Sequence, residues 1–176
     1  MAAPRFQPSL DAAGVVLVHS SRFGRPYETL IAFAAMAATR TTTSFGDFQW
    51  TRLAPWREAL AQFFNPVERR GFLDGVGALG IDYVASGRGN RSGGALFAGW
   101  FGTALGWRLQ RSVAGKGGTF VAHLKSKRGH PVELAMRPVE LEGFAPGEIT
   151  GIRVEAVQRG ATCHVQALRD EHSSGH

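Results

Sequence analysis

Cysteine is almost missing from this chain: Cys163 is the single one among 176 residues. One thiol excludes an intramolecular disulfide framework and suits a reducing compartment. Long apolar runs are missing as well. The least polar stretch, Gly93 to Trp107, is uncharged but interrupted by glycine, and it is shorter than the ~18 residues a membrane span requires. The opening Met1-Ala2-Ala3-Pro4-Arg5-Phe6 lacks the apolar region of a signal peptide. A cytoplasmic protein without membrane association is therefore expected. With 44% hydrophobic and 19% charged residues, global disorder is excluded. The length fits one domain, or one domain with a smaller attached layer.

Recognisable catalytic chemistry is the next absence. The histidines, His19, His123, His130, His164, His172 and His176, show no metal-ligand spacing with a second His or a carboxylate. Cys163 and His164 are adjacent in a predicted strand, so they point to opposite faces and cannot pair as thiolate and imidazole. Ser20-Ser21 follows a strand, but no Gly-x-Ser-x-Gly pattern surrounds it. The glycine loop at 87–94 could wrap a phosphate with backbone N–H groups, yet it lacks the Gly-Lys-Ser/Thr ending of a P-loop. Asp11, Asp47, Asp74 and Asp82 are scattered. A chain without enzymatic activity, metal or cofactor is the expectation.

Charge is present in excess of one sign. The net charge is +6 and the pI near 10.4, which raises nucleic acid or an acidic partner. Residues 1–120 carry 13 Lys/Arg against 7 Asp/Glu, while 121–176 balance at 7 against 7. Most of the cations are single arginines, and the one compact run, Lys125-Ser126-Lys127-Arg128, suits a hairpin tip. A basic nucleic-acid-binding module, with arginines around 88–91 and 108–111 on the phosphates, is thus the alternative reading of function.

Periodicity predicts α+β: an N-terminal strand and two helices, then an antiparallel β-sheet covered by one Gly/Trp-rich helix. Val15 to His19 reads as a strand buried on both faces, without a visible partner strand. Pro26 to Ala38 reads as a helix, with Pro26 in the first turn and Glu28 on the positive dipole end. A second helix is predicted over Arg52 to Phe64, capped by Thr51 and stopped by Asn65-Pro66. Glu68 to Asp74 adds a turn, and Leu79 to Val84 alternates as a strand. In the helix at 93–107, Phe97, Phe101 and Leu105 form one face; Ala95, Gly99, Gly102 and Gly106 form a small-residue stripe against a sheet. Strands follow at Trp107–Ser112, Thr119–Lys125, Pro131–Met136, Glu148–Val157 and Thr162–Leu168, with hairpin turns at 127–130 and 158–161. This divides the chain into a segment at 1–74, an α+β domain at 75–170 and a disordered tail at 171–176.

The segment Asp47-Phe48-Gln49-Trp50-Thr51-Arg52-Leu53-Ala54-Pro55-Trp56-Arg57 concentrates two tryptophans and two arginines. Rigid rings and forked cations anchor interfaces because they lose little freedom when held. They also build half-buried helix starts. Trp56 falls on the helix's apolar stripe and reads as core. Trp50, Arg52 and Arg57 are the candidate partner-binding residues, and a Trp–Arg stack serving stability alone is the other reading.

The pattern Asp47-x-x-Trp50-Thr51-Arg52-x-x-x-Trp56-Arg57, with Ala98-Gly99-Trp100 and Leu105-Gly106-Trp107, resembles the OpcA family of glucose-6-phosphate dehydrogenase assembly proteins. Val15–Ser21 and Glu148-Ile149-Thr150-Gly151 are similar to strands of that family, so the likeness runs over about residues 12–168 in order. It implies a non-catalytic, cytoplasmic partner that assists assembly or allosteric activation of glucose-6-phosphate dehydrogenase in the oxidative pentose phosphate pathway. It also implies a short form lacking most of an N-terminal α/β region, which would account for the unpaired strand at 15–19. Homo-oligomerisation stays open.

Overall fold

The computed structural model describes residues 12–85 and 90–169. The expected tail at 171–176 and the start of the glycine loop lie outside them. The architecture is mixed α+β, dominated by a six-stranded sheet of order β4-β5-β6-β3-β7-β8. Its strands are β3 (Val76–Val84), β4 (Arg108–Ala114), β5 (Phe120–Lys125), β6 (Pro131–Val139), β7 (Ile149–Gln158) and β8 (Ala161–Leu168). All neighbours run antiparallel except β3 and β6, which are parallel. That pair corrects the expectation of an antiparallel sheet. The 46 residues between them carry a helix and a hairpin (85 to 130), a connection long enough for a crossover.

Alternation along each strand assigns the two faces. On β6, Val132, Leu134 and Met136 are buried while Glu133 and Arg137 are exposed. The buried face carries Leu79, Ile81, Ile152 and Val154 and packs against the long apolar helix and a second helical layer that supplies Leu60 and Phe64. The other face is largely open to water, as antiparallel sheets allow. There Asp82 is buried between two cations: Arg137 Nε donates to its Oδ1 at 2.9 Å, and Arg153 reaches its Oδ2 at 2.7 Å. Burial raises the carboxyl's pKa, but the hydrogen bonds and charges of Arg153 and Arg137 outweigh it and hold Asp82 below the usual carboxylate range. This ion cluster tethers the three central strands on their wet side.

The N-terminal part departs from the sequence reading. β1 (Val15–Val18) has a partner after all: β2 (Ser44–Asp47) lies parallel to it, joined through α1 (Pro26–Thr39). β2 is hard to see in sequence because Ser44-Phe45-Gly46-Asp47 is short and half polar. Nor is β1 buried on both faces, since Val15 and Leu17 are about 60% exposed (62% and 60%). The expected second helix is two: α2 (Phe48–Arg52) and α3 (Ala54–Phe64), separated at Leu53. Asp47, not Thr51, is the cap, its Oδ1 accepting from Gln49 N at 2.9 Å. Pro55 then sits in the first turn of α3, where its missing N–H costs nothing. α4 (Val67–Arg70) and a 3-10 turn (Gly71–Gly75) lead into β3.

The glycine-rich helix, α5, spans Ser92–Ala104. Phe97 and Phe101 are buried as expected, but the small-residue stripe is corrected. A Cβ on Gly94 would sit 3.0 Å from Met136 Sδ, and one on Gly102 would sit 3.2 Å from the Trp107 ring, so these two glycines permit close approach. Gly99 faces open space. The turn Arg159-Gly160, at φ 49° and 82°, closes the β7–β8 hairpin with the left-handed pair that strand twist favours.

These packings separate two glycine substitutions. Gly99→Ala is expected to stabilise the fold by about 0.5–1 kcal/mol, because it removes backbone freedom in an open helix interior. Gly75→Ala, whose Cβ would lie 1.8 Å from the Val157 carbonyl oxygen, is expected to cost about 3 kcal/mol. Urea denaturation reads both. For the ion cluster, Asp82→Asn is expected to cost about 1–2 kcal/mol at pH 7, since Arg137 is half in water (52% exposed). The folded carboxyl titrates below its unfolded value. The increment is therefore full above about pH 4 and fades as pH falls further, so the two proteins converge in acid melts.

Candidate functional site

The three candidate residues are near one another in sequence but not equivalent in space. Trp50, in α2, is half-buried against the core. Arg57, in the first turn of α3, lays its guanidinium over the Trp50 ring at 3.8 Å from the centroid. Its Nε is buried without a hydrogen-bond partner among the described residues, so the cation is held by stacking. Arg52 ends α2, is exposed, and forms no ion pair among the described residues. Trp56 is half-buried and packs on the core, as its helical spacing requires. The segment thus splits into a fixed stack, Trp50–Arg57, and an unengaged cation, Arg52.

Arg52 stands where two clefts adjoin. One, of about 900 Å³, runs along α3 past Trp56 and Leu53 to the β8 end at Leu168 and Arg169. The other, of about 920 Å³, is walled by His19, Arg22, Tyr27, Tyr83 and Arg91. Sequence reading missed this second cleft, although Arg91 lies in the glycine loop that it weighed as a phosphate wrapper. Its other residues come from distant segments, and only the fold brings them together. The loop is also shorter than composition suggests, because α5 begins at Ser92. In the same cleft the Ser21 hydroxyl lies 2.6 Å from His19 Nδ1. Among the described residues no carboxylate bonds to that imidazole, so the pair lacks the third, orienting group of a catalytic triad.

What joins the segments is a small polar knot. Ser20 is fully buried in the turn between β1 and α1. Its N–H donates to Asp47 Oδ1 at 3.2 Å, and its carbonyl accepts from Asn90 Nδ2 at 2.9 Å and Ser92 Oγ at 2.8 Å. Asn90 Oδ1 accepts from Ser92 N at 3.0 Å and competes with the Ser20 carbonyl for the single Ser92 hydroxyl proton. One residue therefore fixes the β1–α1 turn, the cap of α2 and the entry to α5. Buried polar groups in such a network are costly to leave unpaired.

A mixed α+β domain with a one-sided sheet and two arginine-lined clefts is the class this geometry defines. The chain belongs to the family described as the C-terminal domain of the glucose-6-phosphate dehydrogenase subunit, whose sequence profile matches residues 43–172. It is 28% identical over 163 residues to a protein of Synechocystis sp. named, provisionally, as OxPP cycle protein OpcA; the match covers 90% of this chain and 33% of that protein. The similarly named protein of Synechococcus elongatus is 30% identical over 90% of this chain and 35% of its own length. For that of Nostoc punctiforme the identity is 26%, over 84% and 32%. The chain thus spans about a third of the length of these relatives. No helix among the described residues is long and apolar enough to cross a membrane.

Asn90→Ala removes the knot's bonds to both Ser20 and Ser92 at once. It is expected to destabilise the fold by about 1–3 kcal/mol and to speed amide exchange over residues 15–47 relative to β7. Uniform loss of protection would mean that the knot does not set the local stability of this segment.

Proposed function

We propose that this chain is a non-catalytic binding protein that acts on glucose-6-phosphate dehydrogenase, assisting its assembly or activating it allosterically. The observation that carries the reading is the family match over residues 43–172, whose description names a subunit of that enzyme. The names of the relatives, which tie them to the OxPP cycle, point the same way. The sequence supports a role without catalysis, because it carries no recognisable catalytic pattern. A cytoplasmic setting follows from the same reading.

The contact surface is proposed to centre on Arg52, with the Trp50–Arg57 stack as a rigid platform behind it. An exposed arginine without an ion-pair partner among the described residues, set beside an immobilised aromatic–cation pair, is the composition of an interface hot spot. Little ordering entropy remains to be lost there. The two parts differ in what they do for the fold. Arg52 is exposed and lies outside the hydrophobic core. Trp50 packs on the core and serves both roles.

The test mixes the chain with the purified dehydrogenase and measures sedimentation and steady-state kinetics. A shift in oligomer distribution, in kcat/KM, or in both is expected. Arg52→Glu is expected to weaken association by about tenfold or more at unchanged Tm, whereas Trp50→Ala lowers Tm as well. A dehydrogenase whose assembly and kinetics ignore a saturating excess of folded chain would overturn the proposal.

A further inference from the structure

We infer that the cleft between the β1–α1 turn and the start of α5 is a binding site for a small molecule bearing a phosphoryl group. This goes beyond action on the dehydrogenase and does not depend on it. The first observation is charge. Three arginines, Arg22, Arg52 and Arg91, line the cleft, and among the described residues no Asp or Glu does. None of the three has an ion-pair partner among the described residues, whereas Arg128, Arg137, Arg153 and Arg169 all meet carboxylates. Asp47, on the adjoining strand, spends its Oδ1 on the N–H groups of Ser20 and Gln49 and does not line the cleft. Concentrated, uncompensated positive charge in a concave wall attracts an anion.

The second observation is rigidity. Arg91 lies within cation–π reach of two rings, 5.1 Å from the Tyr27 centroid and 5.2 Å from that of Phe120. Those rings stack with centroids 6.3 Å apart. Stacking fixes the guanidinium without neutralising it, so its N–H fork stays available to a phosphate. Two long helices also start here: Pro26 and Tyr27 of α1 and the N-cap Arg91 of α5 are wall residues; neither N-cap residue offers a capping side chain, and at α5 Asn90 Oδ1 takes only the Ser92 N–H. Their positive ends add to the arginine field.

The third observation is unspent hydrogen-bonding capacity, which speaks for a ligand rather than for bulk counter-ions. Tyr83 is only 5% exposed and lines the cleft. The Tyr27 hydroxyl is buried with no hydrogen-bond partner among the described residues. Burial raises the pKa of both phenols against the opposing charge of Arg91, so both stay protonated as donors. Native structures leave few buried polar atoms unpaired, and those that persist mark function. At about 920 Å³ the cleft also exceeds what a bare phosphate fills and falls in the range of small-molecule sites.

Isothermal titration calorimetry of the full chain at low salt tests this with four probes: inorganic phosphate, a hexose phosphate, its parent hexose, and a nucleoside monophosphate. A phosphoryl-bearing probe is expected to bind with a Kd of about 1 mM or tighter, and the parent hexose is not. Binding by the ester but not by inorganic phosphate assigns the site to a phosphorylated metabolite; the converse assigns it to free phosphate. Arg22→Gln, whose side chain is exposed and supports no packing, is expected to weaken binding about tenfold. Tyr27→Phe keeps the ring under Arg91, removes only the donor, and is expected to weaken binding measurably. Arg128→Gln, paired with Asp74 elsewhere on the surface, is expected to leave it unchanged. No heat from any phosphoryl probe on folded protein overturns the proposal, and so does binding that Arg22→Gln and Arg128→Gln affect alike.

Discussion

A buried serine backbone is the point on which the rest of this molecule depends. The N–H of Ser20 is claimed by Asp47 and its C=O by Asn90 and Ser92, from two separate stretches of chain. The parallel pair β1–β2 leans on that convergence because α1 buries no residue fully and covers it mainly through the Phe33–Phe45 ring contact. The same convergence aims α2 and α5, because Asp47 caps one and Asn90 opens the other. Both arginine-lined clefts are consequences of that placement. Recognition and architecture share one set of hydrogen bonds.

The molecule separates its kinds of order by layer. One sheet face is sealed by phenylalanine, leucine and tryptophan from α3 and α5, where packing density sets position. The opposite face is held by charge, with Asp82 bridging β6 and β7 through Arg137 and Arg153. Arginine does two jobs here. Where it meets a carboxylate it is structural, and where among the described residues it meets only aromatic rings, as Arg57 and Arg91 do, its charge stays available. The basic character of the chain is therefore better read residue by residue than as a net charge.

Much of the fold was legible in the sequence, for a physical reason. Period-two alternation in β7 and β8, the tight turn at Arg159-Gly160 and the Phe97/Phe101 spacing of α5 are local signals that tertiary structure had no cause to override. What escaped is what depends on contacts distant in sequence. β2 is four residues with a glycine in it, and it becomes a strand because β1 lies beside it. Thr51 looked like a cap because a helix was expected to begin after it; Asp47, four residues earlier, had already taken the role. The glycines of α5 looked like one stripe, while in space Gly94 and Gly102 press on side chains and Gly99 touches nothing. The Trp–Arg segment was visible as composition, but the division between a fixed Trp50–Arg57 stack and an unengaged Arg52 needed coordinates. The arginine cleft was invisible, since its walls come from the stretch 19–27 and from residues 52, 83, 90–91, 118 and 145–146.

The single parallel pairing, β3 with β6, also bears on how the chain is made. β3 sits at the middle of the sheet, yet both its neighbours come much later in the sequence. During synthesis a nine-residue apolar strand must wait, unpaired, through the emergence of α5 and the β4–β5 hairpin. That wait places a long loop closure before the central pairing and makes assembly slower than a simple meander of the same size. It also leaves an exposed strand edge in the nascent chain, which favours capture by a chaperone or by a second unfinished copy. The order of strands that gives the finished sheet its buried centre is thus the same order that makes its birth hazardous.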